Sequence, residues 1–123
     1  MARVTLTPTA LVPNGGVADP TGTASVAGAG NGFTIPAQSP NVNIWLRAAN
    51  ASGGSGTISV LAGSQPLAPS SGQGAVTATV ANSSTQWVGP FDSSRVIQND
   101  GSLFIETSVV MTVAAFSLDG RRV

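Results

Sequence analysis

Apolar and polar residues alternate with a period of two along much of this chain. Val4-Thr5-Leu6-Thr7 alternates, and so does Asn41-Val42-Asn43-Ile44-Trp45-Leu46-Arg47 through Val42, Ile44 and Leu46. Thr57-Ile58-Ser59-Val60 and Val76-Thr77-Ala78-Thr79-Val80 repeat the pattern. Successive side chains of an extended chain point to opposite faces, so each stretch predicts a strand with one buried face. The C-terminal third adds Arg95-Val96-Ile97-Gln98, Ser102-Leu103-Phe104-Ile105-Glu106 and Val109 to Leu118. The last is almost continuously apolar and is expected to be the most buried. Between the first two lies Asn99-Asp100-Gly101, residue types that tolerate the positive φ of a tight hairpin turn, so 95–98 and 102–106 are predicted to pair.

Gly (15) and Pro (8) interrupt the chain so often that no stretch offers a capped amphipathic helix. Short strands separated by Gly, Pro, Asn and Ser predict an all-β fold, a β-sandwich or barrel of jelly-roll kind with about eight short antiparallel strands. The length of 123 residues suits one domain, residues 1–123. Residues 13–32 are too rich in glycine for a long strand and are expected to form an extended loop or arm; residues 63–74 form a second long loop.

Composition narrows the function. Charged residues are 8% of the chain, against about 25% in ordinary soluble domains, and Lys is absent. The surface must therefore be Ser, Thr, Asn, Gln and Gly. The formal net charge is zero and the five cations, all Arg, are scattered, so no field gathers phosphates and no nucleic-acid partner is expected. Near-zero net charge removes the self-repulsion that keeps copies apart, which favours a homo-oligomer or a larger assembly. With no Cys there are no disulfides, and stability must come from the core or from subunit contacts. No apolar run matches an export signal or a membrane span, so the protein is expected to be made in a cytoplasm and to have no membrane partner.

The inventory for catalysis is almost bare. His, Cys, Lys and Tyr are all absent, and they supply most general acids, bases and nucleophiles. The five acids, Asp19, Asp92, Asp100, Glu106 and Asp119, fall on separate segments, and Asp19, Asp100 and Asp119 sit in turn-like contexts. No catalytic residue, cofactor site or metal site is expected. Gly28-Ala29-Gly30-Asn31-Gly32 superficially resembles a dinucleotide loop, but no helix or Lys follows it.

Two tryptophans remain. Trp45 falls on the opposite strand face from Val42, Ile44 and Leu46, which predicts a ring that is exposed or buried against another subunit. A sugar-stacking platform is the competing use of such a ring. Trp87, just before Val88-Gly89-Pro90-Phe91, is expected to anchor the core at a strand end.

The run from Gln86 through Val88-Gly89-Pro90-Phe91, Arg95-Val96-Ile97-Gln98 and Asn99-Asp100-Gly101 to Ile105, with Val113-Ala114-Ala115-Phe116-Ser117-Leu118 and the opening Ala2-Arg3-Val4-Thr5-Leu6-Thr7-Pro8-Thr9, resembles small capsid decoration (cement) proteins of tailed bacteriophages. The resemblance covers about the first dozen and last forty residues and fails in the glycine-rich middle. It implies an all-β protein on the outside of a phage shell, often trimeric, that bridges major capsid protein subunits and is made in the bacterial cytoplasm. Trp45, Arg47, Phe91 and Arg95 are the candidate subunit or capsid contacts. A head–tail connector or tail component, and a carbohydrate-binding or fibre module, are the alternatives.

Overall fold

A computed structural model of the chain describes residues 3–11, 15–28, 30–36, 42–63, 72, 74–89, 91, 96, 98 and 101–119. Its ordered elements, in chain order, are β1 (Val4–Thr5), β2 (Thr9–Ala10), β3 (Thr23–Ala24), β4 (Phe33–Ile35), β5 (Val42–Asn50), β6 (Gly56–Val60), β7 (Val76–Val80), β8 (Ser84–Val88), β9 (Leu103–Thr107) and β10 (Met111–Asp119). The protein is all-β, as its alternation predicts. One sheet runs β1-β4-β9-β6-β7, and the other runs β2-β10-β5-β8 with β3 also paired to β10.

The expected antiparallel pattern holds for most pairs, but both sheets are mixed. β1 runs parallel to β4 and β2 runs parallel to β10. Both exceptions belong to residues 3–11, a strap along the edge of the first sheet that then joins the edge of the second. Pro8, which has no N–H for a ladder, separates the two short strands. Parallel pairing demands a long connection, and β4 and β10 both lie far along the chain.

Alternation within each strand puts its apolar residues into one shared core. The first sheet contributes Phe33, Ile35, Ile58, Val60, Val80, Leu103 and Ile105; the second contributes Ile44, Leu46, Ala48, Val88, Met111, Val113 and Ala115. β5 and β10 pair along nine residues and form the middle of the second sheet. Gly32 has φ +93°, and an added Cβ would collide with the Ile105 carbonyl oxygen. A glycine here lets the chain enter β4 against β9.

Two buried polar side chains tie the sheets together. Asn50, 1% exposed, donates from Nδ2 to the carbonyls of Val80 and Gly54, each at 2.9 Å, and accepts from the Ser52 N–H at 3.0 Å. Ser25 Oγ lies 2.7 Å from Thr107 Oγ1 and accepts from the Met111 N–H at 3.0 Å. A partnered polar group can be buried at little net cost, whereas an orphaned one cannot.

The strand predicted over 95–98 does not appear at its described residues, Val96 and Gln98. Val96, placed by its sequence in a strand over 95–98, is in a helical turn and fully buried. The turn itself forms: Gly101 N–H donates to the Gln98 carbonyl at 2.8 Å, Gln98 N–H donates to the Ser102 carbonyl at 2.9 Å, and Gly101 has φ +86°. The ladder cannot continue, because both edges of β9 are taken. β4 pairs on one side; β6 pairs on the other, extended by the Leu61 N–H to the Phe104 carbonyl. Asn99 and Asp100 lie outside the described residues, as does most of the expected 63–74 loop.

Candidate docking face on the second sheet

The register of the second sheet determines which side chains share its outer face. Trp45 stands directly opposite Phe116, and Arg47 opposite both Ala114 and Trp87. Their sequence neighbours Ile44, Leu46, Ala48, Val88, Met111, Val113 and Ala115 are in the core, so Trp45, Arg47, Trp87 and Phe116 all point away from it. Phe116 is nevertheless only 5% exposed. It is buried outside the inter-sheet core, against its neighbours on the outer face.

Trp87 supplies part of that cover. Its ring reaches across β5 to a centroid distance of 5.1 Å from Phe116, tilted by 36°. The Arg47 guanidinium carbon lies 5.7 Å from the Phe116 ring centroid, within cation–π range. Arg47 also pairs with Asp19 and donates to the Pro20 carbonyl at 2.7 Å, which ties the 15–28 loop to this face. Gly89, at φ +110°, passes so close to Trp45 that an added Cβ would stand 2.9 Å from the Trp45 Cβ. Trp45 is therefore half-buried by its own chain.

Trp87 departs from expectation. Instead of anchoring the core it is 56% exposed, because Val88 takes the inward position at the end of β8 and leaves the ring outside. Of the four candidate contacts, Trp45 and Arg47 share the face. Phe91 is half-buried and packs against the core, and Arg95 lies outside the described residues. Trp87 and Phe116 complete the cluster. Phe116 was detectable in principle as the residue out of phase with the inward Val113 and Ala115, but Trp87 beside Val88 offers no periodic signal.

The outer face of the first sheet is chemically different. β6 and β7 present Thr57, Ser59, Thr77 and Thr79 outward, with the Ser59 and Thr77 hydroxyls 3.2 Å apart. At β9 the Arg3 guanidinium lies 4.8 Å from the Phe104 ring and bonds Glu106 at 2.8 Å. The Gly30 N–H donates to the same carboxylate at 2.8 Å. Burial alone would raise the Glu106 carboxyl, but the Gly30 N–H and Arg3 outweigh it and hold it below its ordinary value near 4.5. The Gly30 N–H thus receives an anion, and that anion is the chain's own glutamate.

Glu106 lies on β9 of the first sheet and Asp19 in the loop before β3, beside the second sheet, and each is engaged by an arginine. A hollow of about 140 Å³ opens where β2 and β3 share one edge of β10, over Ala114 and Ala115, and none of the described residues that line it is titratable. The aromatic and arginine cluster on the second sheet is the strongest concentration of recognition chemistry among the described residues.

Comparison of the chain with protein-family models, with curated proteins and with solved structures returned no match in any of the three.

Proposed function

We propose that this chain is a non-enzymatic structural protein of a phage particle, a decoration protein that binds the outside of the shell and stabilises contacts between major capsid subunits. In this reading the two sheets form a sandwich of jelly-roll kind that serves as a rigid platform, and the outer face of the second sheet is the docking surface. The observation that carries it is Trp87, more than half exposed beside Arg47, Trp45 and Phe116 on a face of a protein that is otherwise poor in charge and aromatics. Protein interfaces concentrate Trp and Arg at their centres, where desolvation makes each contact count. Ser and Thr on the opposite sheet leave that side suited to water.

Empty phage shells mixed with the protein test the reading. Binding at a fixed copy number per hexamer is expected, with Trp87→Ala weakening it by roughly tenfold or more, in line with the loss of a central aromatic anchor. No co-sedimentation with shells would overturn it. A high copy number per virion separates decoration from a connector or tail role.

The openness of Trp87 favours one second reading, a glycan platform on the same face. Binding on a glycan array that disappears in Trp87→Ala would move the assignment from shell to sugar.

A further inference from the structure

We propose that β8 is a self-association edge: two copies pair antiparallel through Ser84–Val88 about a twofold axis at Gln86, joining their second sheets into one. Among the described residues β8 pairs with β5 on one side and with no strand on the other. An open strand edge is a row of unmet backbone donors and acceptors, and proteins that stay monomeric blunt it with Lys, Pro, bulges or very short strands. β8 is five residues long, Ser-Thr-Gln-Trp-Val, with neither Lys nor Pro.

The other edges are managed differently. β1, β2 and β3 are two residues each, and the strap of residues 3–11 closes that side of both sheets. β7 is as long as β8, but it shows solvent only threonine side chains between half-buried Val76 and Ala78. β8 alone among these edges carries a large exposed apolar ring.

The occupant is a second copy because β8 is complementary to itself. A twofold axis sets each residue against its own kind or its mirror partner, so any charge at the centre would meet a like charge. β8 has no charge, and Arg47, its neighbour in the ladder, is already paired with Asp19. With Gln86 on the axis all five residues overlap: Ser84 faces the second Val88, Thr85 faces the second Trp87, and Gln86 faces Gln86. A side-chain amide both donates and accepts, so two glutamines across an axis satisfy each other. The arrangement is a dimer, where the resemblance to decoration proteins implies a trimer. It extends the docking face across two copies, yet it does not depend on shell binding, since the mass of the free protein decides it.

Sedimentation equilibrium of the native chain is expected to give a dimer, and Gln86→Lys, which sets two cations face to face, a folded monomer whose unfolding midpoint, unlike the native one, does not depend on protein concentration. Gln86→Cys provides the second measurement. Cα atoms across an antiparallel pair lie about 4.5–5.5 Å apart, within disulfide range, and the chain has no other Cys. Mild oxidation should convert most of Gln86→Cys to a covalent dimer. Val110→Cys, exposed and just before β10, two strands from β8, should give no covalent dimer under the same oxidation. A native monomer or trimer, a Gln86→Lys variant that remains dimeric, or equal cross-linking at both positions would overturn the proposal.

Discussion

Trp87 and Phe116 stack on the outer face of the second sheet with ring centroids 5.1 Å apart, one ring more than half exposed and the other almost fully covered. Their substitutions should therefore separate binding from folding. Phe116→Ala removes a buried ring and is expected to cost about 3 kcal/mol, within the usual range for a buried Phe. Trp87→Ala forfeits mainly the aromatic pair, about 1 kcal/mol. Urea unfolding of both variants measures the difference, and equal losses would contradict the outer-face geometry.

Asn50 spans the two sheets, and its amide is fully engaged. Replacing it with Leu keeps the volume close but leaves the buried Val80 carbonyl without its donor. An orphaned buried acceptor costs about 1–3 kcal/mol, so Asn50→Leu should lower the unfolding midpoint despite greater hydrophobicity. A variant as stable as the native chain would show that the amide contributes nothing to joining the sheets.

Glu106 links the strap to the first sheet in a pH-dependent way. Its carboxyl titrates lower in the folded chain than in the unfolded one, so the stabilisation is complete above the ordinary value near 4.5. It is lost as pH falls through the lower folded value. Unfolding midpoints measured down an acid series should decline more steeply for the native chain than for Glu106→Gln. Parallel curves would remove Glu106 from the account.

Gly32 permits the approach of β4 to β9. Ala at this position would face both a left-handed backbone and the Ile105 carbonyl oxygen. A loss of roughly 2–3 kcal/mol or more is expected from strain of this kind, read by thermal unfolding. Gly16→Ala, at a position with open space around the added methyl, is the control and should be nearly neutral.

The alternation of β5, β6, β7 and β9 was legible in the chain because each buries one face in the shared core, and a half-buried strand writes its period into its residues; β10 was legible as a nearly continuous apolar run because residues 113–117 are buried on both faces. From that pattern alone came the all-β class and the outward direction of Trp45 and Arg47. The two-residue strands β1, β2 and β3 are too short to carry a period, and the parallel direction of β1 and β2 depends on partners far along the chain. Val96 shows the limit from the other side. Its segment has the composition of a strand, but β9 has no edge left to pair with it, and edge occupancy is a property of the assembled sheet. The docking face follows the same logic. That Trp87 lies outside while Val88 lies inside, and that Phe116 is covered by Trp87 from across β5, was decided by the register of three strands separated in sequence. Local alternation could assign each residue a face of its own strand; only the pairing of strands could bring those faces together.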